Sequence, residues 1–339
     1  MELDIQANKN LSCYNSFGFA AVADHFVSVS NIDELKMALA FAKESELPWL
    51  VIGGGSNLIV ASHVPGLVIH MAFRGITSIS EGSSQLVSIA AGENWHQLVE
   101  HCVTQGWGGI ENLALIPGTA GAAPMQNIGA YGTELADVFD SLTALDTQTG
   151  GLRTFDREQC CFGYRDSYFK SVEPGRFIIV EIKLRLIRDS QPDVSYGALA
   201  AELEKKAIKS PSIQDIFTAV CDIRRSKLPD PADIGNAGSF FKNPVVSEQQ
   251  FDQLSQQFPN IVSFPVADGR KLAAGWLIDQ CGLKGLREGN VGVYAKQALV
   301  LVNHGEGNAE ELLVLADKVA DTVKGRFGVM LEIEPRQIP

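Results

Sequence analysis

The chain has 339 residues, of which 45% are hydrophobic and 20% are charged, with a formal net charge of −12. This length is enough for two or three hydrophobic cores, and the composition is ordinary for a globular protein. The acidic balance argues against nucleic acid or an anionic membrane surface as the main partner, so an anionic ligand needs local arginines or lysines.

The six cysteines are scattered and show no metal-ligand spacing, and only Cys160 and Cys161 are close together. This pattern indicates buried free thiols in a reducing cytosol and no metal site. The N-terminus, Met1-Glu2-Leu3-Asp4, lacks the features of a signal peptide, and no apolar run approaches the length of a membrane span. We therefore expect a cytoplasmic protein with no obligate protein partner.

Hydrophobic periodicity predicts alternating strands and helices in the first part of the chain. In chain order these are a strand at 25–29, a helix from Ser30-Asn31 through Ala42, a strand at 49–52, strands at 67–70 and 85–89, and a helix with Trp95, Leu98, Val99 and Cys102 on one face. Two of these compact α/β units each lead into a glycine-rich segment.

The second part of the chain begins with a predicted hairpin. The hairpin consists of strands at 141–146 and 152–155. The rest of this part contains a strand at 177–186, a break at 189–193, helices at 213–225, 271–281 and 310–327, and strands at 298–302 and 329–334. The break places the end of the first region near residue 188.

The two glycine-rich segments are the most informative parts of the sequence. The first cradle is Gly53-Gly54-Gly55-Ser56-Asn57, and the second cradle runs from Gly106 to Gly132. Glycine allows backbone N–H groups to converge on an anion. A dinucleotide fingerprint fails because Leu58 stands at the third glycine position, and no P-loop is present. Structural turns are the alternative, but the pair favours a site for one large anionic cofactor.

Three further motifs could carry chemistry. Arg165, in Gly163-Tyr164-Arg165-Asp166-Ser167, is either a surface charge or a fixed guanidinium that binds a carboxylate or enolate. Ser239, in the run from Asn236 to Pro244, is either part of an ordinary turn or a proton donor. Glu332 and Glu334 lie on one face of an extended segment, and spacing alone does not decide which of them enters a site.

The first cradle and the run Ile116-Pro117-Gly118-Thr119 to Gln126-Asn127-Ile128-Gly129-Ala130-Tyr131-Gly132 resemble the flavin-binding lobe of the vanillyl-alcohol-oxidase-like FAD family. Together with the three motifs, they are similar to the UDP-N-acetylenolpyruvoylglucosamine reductase family, in its longer subclass with a tyrosine loop. The resemblance covers nearly the whole chain. It implies an α+β fold, with a two-lobed FAD-binding region of the vanillyl-alcohol-oxidase/PCMH type at 1–188 (lobes at about 1–70 and 71–188). A tyrosine-loop insertion at 189–210 and a C-terminal α/β substrate-binding domain at 211–339 follow.

The resemblance also implies roles for individual residues. Ser239 is the proton donor, and Arg165 and Glu334 stabilise the enolic intermediate. The residues implied to contact FAD are Gly53, Gly54, Gly55, Ser56, Asn57, Pro117, Gly118, Thr119, Gln126, Asn127, Gly129, Ala130 and Tyr131. Those implied to contact the substrate or the nicotinamide cofactor are Tyr164, the capping Tyr196, Lys227, Asn243 and Gln297. Tyr294 stands where the family usually has histidine, and no role is assigned to it.

The implied reaction has two halves. NADPH reduces non-covalent FAD, and the reduced flavin then reduces the enolpyruvyl double bond of UDP-N-acetylglucosamine enolpyruvate to give UDP-N-acetylmuramate for peptidoglycan. One alternative is another flavin oxidoreductase on the same scaffold, such as a hydroxy-acid or aldonolactone oxidase. The lack of a histidine in the first cradle argues against it, because many such oxidases tether flavin there. A second alternative is a non-catalytic nucleotide-sugar-binding protein.

Overall fold

The computed structural model describes residues 3–188 and 190–339. The chain divides into two compact units: residues 3–9, 24–54 and 65–226 form the first, and residues 10–23, 55–64 and 227–339 form the second. The predicted divisions at 188 and 210 stay predictions. The predicted starting residues Met1 and Glu2, and Asp189, with which the insertion is predicted to begin, lie outside the described residues.

The first unit contains a large antiparallel sheet. Its strands lie in the order Leu152–Asp156, Phe139–Asp146, Phe177–Arg188, Ser84–Ala90 and Ile76–Glu81, and Trp107–Gly108 pairs with Phe177–Arg188. A four-stranded sheet has the order Gln6–Asn10, Val22–Val29, His63–Met71 and Trp49–Ile52, and Gly129–Ala130 pairs with Thr133–Glu134. The helices are Ile32–Glu44, Trp95–Thr104, Leu135–Val138, Gly197–Lys205 and Ile213–Lys227, with 3-10 turns at Glu111–Leu113 and Ala120–Gln126 and a π-helix at Tyr168–Val172.

The second unit contains three smaller sheets. Their strand orders are Gly235–Ser239, Val300–Asn303, Val291–Val293 and Arg287–Glu288; Val245–Val246, Gly269–Leu272 and Ser263–Val266; and the parallel pair Arg336–Ile338 and Leu58–Val60. The helices are Glu248–Gln257, Ala274–Gln280 and Ala309–Phe327, with a 3-10 turn at Ser12–Tyr14. Among the described residues, no helix combines the length and apolarity needed to cross a membrane.

Each unit is held by its own buried apolar side chains. In the first unit, one core lies around Trp95 and Ile182, and a second lies around Leu35 and Ile69. The core of the second unit includes Phe240. Full burial of one such side chain stabilises the folded state by about 1.5–3 kcal/mol.

Most of the predicted elements are confirmed, including the strand Trp49–Ile52 and the helix that follows the cap residue Asn31. The predicted helix from residue 271 begins later, at Ala274, because Gly269–Leu272 pairs as a strand with Ser263–Val266. The strand predicted at 329–334 is wrong. In that stretch only Ile333 forms an isolated bridge, and the regular strand lies beyond Pro335, whose missing N–H interrupts a ladder.

Candidate active site

The two cradles meet in the first unit. A Cβ atom added to Gly53 would lie 2.2 Å from Thr119 Oγ1, and one added to Gly54 would lie 3.2 Å from the Cα atom of Gly118. A Cβ at Gly53 would collide with the Thr119 side chain, and one at Gly54 would crowd the backbone of Gly118, so the glycines allow the two segments to lie this close. The structure therefore brings together two segments that are far apart in the sequence and that were predicted to share one ligand.

The turn of the second cradle at Thr119 is fixed by backbone hydrogen bonds. The N–H of Trp95 donates to the carbonyl of Gly118 (3.1 Å), and the N–H of Ala120 donates to the carbonyl of Glu93 (2.8 Å). Asn94, which forms a bridge with Thr119, also caps the helix Trp95–Thr104 by accepting from the N–H of Gln97. The same residues therefore start the helix and hold the cradle.

The side chain of His96 supports the second cradle at Leu115, before the turn at Thr119. Leu115 has φ +56°, and its N–H donates to Nδ1 of His96 (3.2 Å). The ring of His96 stacks on Phe217, with 5.6 Å between ring centroids. Burial lowers the pKa of His96. A neutral ring with an accepting Nδ1 suits this contact, because an imidazolium carries a proton on both nitrogens.

The last three residues of the first cradle belong to the second unit. Gly55 has φ +62°, and its carbonyl accepts from the N–H of Ser16 (3.1 Å). The carbonyl of Ser56 accepts from Ser16 Oγ (3.3 Å), and the carbonyl of Asn57 accepts from the N–H of Arg336 (2.9 Å). Within that unit these carbonyls are therefore held by protein donors.

A half-buried cation lies beside the end of the second cradle. Arg224, on the helix Ile213–Lys227, interacts electrostatically with the hydroxyl of Tyr131, and its Nε is buried without a hydrogen-bond partner. Across residues 3–188 and 190–339, no ion pair of Arg224 is found. Burial lowers the pKa of Arg224 and raises that of Tyr131. A desolvated guanidinium without a carboxylate favours an anionic ligand.

The ring of Tyr131 also contacts the predicted capping residue. The rings of Tyr131 and Tyr196 are packed edge to face, with 5.3 Å between centroids. Tyr196 is 41% exposed and is the cap residue of the helix Gly197–Lys205. The residue predicted to cover the substrate is thus in contact with a residue predicted to hold the cofactor.

The remaining predicted cofactor residues link the second cradle to the loop of Arg165. Asn127 Nδ2 donates to Glu134 Oε2 (2.7 Å) and to the carbonyl of Gly163 (3.2 Å), and its Oδ1 accepts from the N–H of Ala136 (3.0 Å). Arg165 Nη2 donates to the carbonyl of Gly129 (2.8 Å). Three other members of the predicted set, Pro117, Gln126 and Ala130, lie on the same cradle, and Gln126 is the last residue of the 3-10 turn Ala120–Gln126.

Arg165 sits in a strained turn. Gly163 and Asp166 exchange backbone hydrogen bonds of 3.1 and 3.3 Å, which leaves Tyr164 and Arg165 as the two turn residues. Arg165 has φ +56°, a conformation that costs a non-glycine residue about 1–2 kcal/mol. Its guanidinium lies 5.3 Å from the ring centroid of Tyr164. Strain at a residue of this type is typical of functional positions.

The second unit brings Ser239 and Glu334 together. Ser239 is exposed at the end of the strand Gly235–Ser239, directly after Gly238, which has φ +70°. The N–H of Glu334 donates to the carbonyl of Phe240 (2.9 Å), the residue directly after Ser239, so the backbones of the two predicted catalytic residues lie close together. Glu332 instead forms an ion pair with Lys242 and is exposed. The structure therefore separates the two glutamates, and Glu334 is the half-buried one.

Two predicted substrate-contacting amides converge on the helix Ala274–Gln280. Asn243 Oδ1 accepts from the N–H of Ala274 (2.9 Å), and a Cβ added to Gly275 would lie 3.0 Å from Gln297 Oε1. With the oxygen of Asn243 engaged, its NH₂ group is the part left to meet an anion. Lys227 is exposed at the end of the helix Ile213–Lys227.

The residues present fit FAD. The two glycine-rich cradles lie close together, as expected of segments that share one diphosphate, and the guanidinium of Arg224 is a cation available to an anionic part of the cofactor. The sequence did not identify Arg224 or His96 as cofactor contacts, because no local motif marks either residue. No group of three or more His, Cys, Asp or Glu that could hold a metal is found among the described residues.

Comparison with known proteins gives matches to two separate parts of the chain. Residues 23–156 match the model of an FAD binding domain, and residues 230–338 match that of the UDP-N-acetylenolpyruvoylglucosamine reductase C-terminal domain. The reductases of that name from Pseudomonas aeruginosa and Chromobacterium violaceum are 52% and 48% identical to this chain, over 99% of each chain.

Solved structures agree. The crystal structure of the Thermus caldophilus reductase superposes with a TM-score of 0.69 at 26% identity, over 100% of both chains. The 6-hydroxy-D-nicotine oxidase of Arthrobacter nicotinovorans gives a TM-score of 0.55 at 13% identity, over 97% of this chain and 87% of that one. The oxidase shares the fold alone. Together the comparisons confirm the predicted α+β class, with an FAD-binding region followed by a distinct C-terminal domain.

Proposed function

The chain belongs to the UDP-N-acetylenolpyruvoylglucosamine reductase family, and on that premise we propose that it reduces UDP-N-acetylenolpyruvoylglucosamine to UDP-N-acetylmuramate. NADPH is the reductant and FAD the cofactor, and the product enters peptidoglycan synthesis. Sequence identity of about half over nearly the full length of both chains carries this conclusion. We also propose a cytoplasmic location, which the six free cysteines support.

The first unit carries the residues proposed to hold FAD. Backbone N–H groups of the two cradles bind its diphosphate, and Arg224 faces an anionic part of the cofactor. When bound, FAD supplies the hydride chemistry that connects NADPH to the double bond. The cradles therefore bind and orient FAD.

Arg165 is proposed to bind the carboxylate of the enolpyruvyl group. A guanidinium presents N–H donors in a planar fork that matches a carboxylate, and the hydrogen bond to Gly129 fixes its orientation. As the double bond is reduced, negative charge develops on the carbon next to that carboxylate. A fixed cation is effective there because its dipole does not have to reorganise during the reaction.

Ser239 is proposed to give its hydroxyl proton to that carbon. Its exposure at a strand end makes the hydroxyl accessible to a substrate, and the glycine before it gives the turn its shape. A serine hydroxyl is a weak acid, so it must act on a strongly basic, enolate-like carbon. Glu334, held beside Ser239 by the hydrogen bond to Phe240, is proposed to stabilise the same intermediate.

The two half-reactions test this assignment. In Ser239→Ala, bleaching of the flavin by NADPH should stay within about twofold of wild type, whereas reoxidation by the enolpyruvyl substrate should slow by about 10²–10⁴-fold. Ser255→Ala removes a serine hydroxyl from the helix Glu248–Gln257 of the same unit and serves as the control. Equal loss of both half-reactions would rule out Ser239 as the proton donor.

A further inference from the structure

A helix that directly follows the turn of Arg165 donates a hydrogen bond to that turn. The π-helix Tyr168–Val172 begins directly after Ser167, and Lys170 in its middle donates from Nζ to the carbonyl of Arg165 (2.9 Å). The donor is charged, so this is a stronger hydrogen bond than one between neutral groups. It reaches the backbone of the one residue in the turn that has a positive φ.

The π-helix that carries Lys170 is anchored in the hydrophobic core. The neighbouring Phe169 is 1% exposed, and the Phe169 ring lies 5.0 Å from that of Phe155, between centroids. The N–H of Tyr168 donates to the carbonyl of Cys160 (2.8 Å), which joins the π-helix to the chain before the turn. The ammonium of Lys170 is therefore presented from a fixed position.

The other end of the turn is tied to the second cradle. Ser167 Oγ donates to the carbonyl of Met125 (2.7 Å), and Arg165 Nη2 donates to the carbonyl of Gly129 (2.8 Å). The π-helix thus holds the backbone of Arg165, and the second cradle holds its guanidinium. A relaxed backbone at Arg165 would rotate the side chain away from Gly129, since φ determines where the side chain leaves the chain.

We propose that Lys170 is a positioning residue that keeps Arg165 in its left-handed conformation and so keeps the guanidinium ready for the substrate. Lys170 acts through the carbonyl of Arg165 and takes no part in the chemistry itself. The inference rests on the proposed role of Arg165 in substrate reduction.

Lys170→Met tests the inference, because methionine keeps an aliphatic stem but lacks the ammonium. Reoxidation of the reduced flavin at saturating substrate should slow by about 10- to 100-fold, the scale expected for a misplaced catalytic group. Reduction by NADPH should change by less than about twofold. Lys170→Arg restores a charged donor and should recover most of the rate. Lys36→Met, which removes an exposed lysine from the helix Ile32–Glu44, is the matched control.

A double variant separates positioning from an independent role. In an Arg165→Met background, Lys170→Met should cause no further loss, because the two residues act as one unit. An additive loss, or equal slowing of both half-reactions by Lys170→Met alone, would overturn the inference.

Thermal melting and flavin content are measured first. If Lys170→Met does not fold, Lys170→Gln replaces it, because glutamine keeps a shorter, neutral donor. The same slowing of reoxidation is expected, and the same results would overturn the inference. If the wild-type protein is not reoxidised by substrate, the proposed function fails. If wild type and Arg165→Met behave as proposed but the Lys170 variant matches wild type, only this inference fails.

Discussion

Arg224 is a half-buried cation, and its buried Nε lacks a hydrogen-bond partner. Its guanidinium interacts electrostatically with Tyr131. Replacing a buried charge with an apolar side chain of similar volume is often neutral or stabilising. We therefore expect Arg224→Met to leave the melting temperature of the FAD-free protein unchanged or raised, while the affinity for FAD falls by about tenfold or more. Each tenfold loss removes about 1.4 kcal/mol of stabilisation by the ligand.

Thermal melts with and without FAD, together with a fluorescence titration of the FAD-free protein, measure both effects. Arg225→Met, on the same helix but at an exposed position, is the control and should behave as wild type in the titration. A variant that loses stability without FAD and keeps its affinity would show that Arg224 serves the fold and not the cofactor.

At the residue scale, the sequence could predict catalytic candidates only where a motif marks them. Arg165 and Ser239 were named from their motifs, and the structure adds the positive φ of Arg165 and the exposure of Ser239. The roles of Arg224, His96 and Lys170 depend on contacts with residues in other elements. Nothing in their local sequence distinguishes them from ordinary helix residues, so they could not be predicted.

At the scale of elements, the approach of the two cradles makes a direct prediction. Gly53→Ala adds a Cβ atom 2.2 Å from Thr119 Oγ1, and Gly53 does not have the positive φ that would itself disfavour alanine. We expect the cradles to separate and the affinity for FAD to fall by about tenfold or more, because the backbone donors no longer converge. Equilibrium titration of the FAD-free protein with FAD measures this loss.

A compensating change sharpens that experiment. Thr119→Ala removes the colliding oxygen, and the next atom of Thr119 is 3.3 Å from the added Cβ. The double variant should therefore bind FAD more tightly than Gly53→Ala alone. Gly325→Ala, where nothing lies within 4 Å of the added atom, serves as the control. No recovery in the double variant would show that Gly53 is needed for another reason.

We expect the second cradle to be sensitive to pH through His96, on the helix Trp95–Thr104. Burial lowers the pKa of His96 in the folded protein from its ordinary value of 6.5. As the pH falls below that value, the unfolded chain takes up the proton first, so this residue lowers stability with falling pH until the folded pKa is reached. Protonation also destroys the acceptor for the N–H of Leu115.

We expect the melting temperature and the FAD affinity of the wild type to fall from about pH 7.5 to about pH 5.5. His96→Asn keeps a neutral acceptor at every pH and should fall less over that range. His70 and His304 also have lowered pKa values, so the difference between the two proteins isolates His96. Parallel curves for wild type and variant would contradict the prediction.

Elements were predictable where local sequence determined them. The strand Trp49–Ile52 is a short apolar run that ends at glycines, and Asn31 is a typical helix cap. The strand Arg336–Ile338 was missed because its partner, Leu58–Val60, lies near the other end of the chain. Apolar alternation favoured residues 329–334 instead, although that segment forms only scattered backbone hydrogen bonds.

At the scale of the whole molecule, the second unit is not a continuous piece of sequence. Its core includes Phe17, Phe19 and Ile59, each 1% exposed, beside side chains from the C-terminal part. Asn303 Nδ2 donates to the carbonyl of Phe17 (2.9 Å), and the N–H of Asn236 donates to the carbonyl of Ser16 (2.9 Å). The C-terminal region therefore depends on two segments from the start of the chain.

This dependence predicts that residues 227–339 do not fold alone. The fragment lacks three core side chains, and loss of a buried phenylalanine typically costs about 3–5 kcal/mol, a large part of the stability of a small domain. It also lacks the partner of the strand Arg336–Ile338, which leaves the backbone that follows Glu334 unpaired. Circular dichroism of the fragment should show no cooperative melt, whereas the full chain should show one. Adding peptides of residues 10–23 and 55–64 should increase the ordered signal. A fragment that melts cooperatively without them would show that the C-terminal sequence holds its own core, and that the early segments only attach to it.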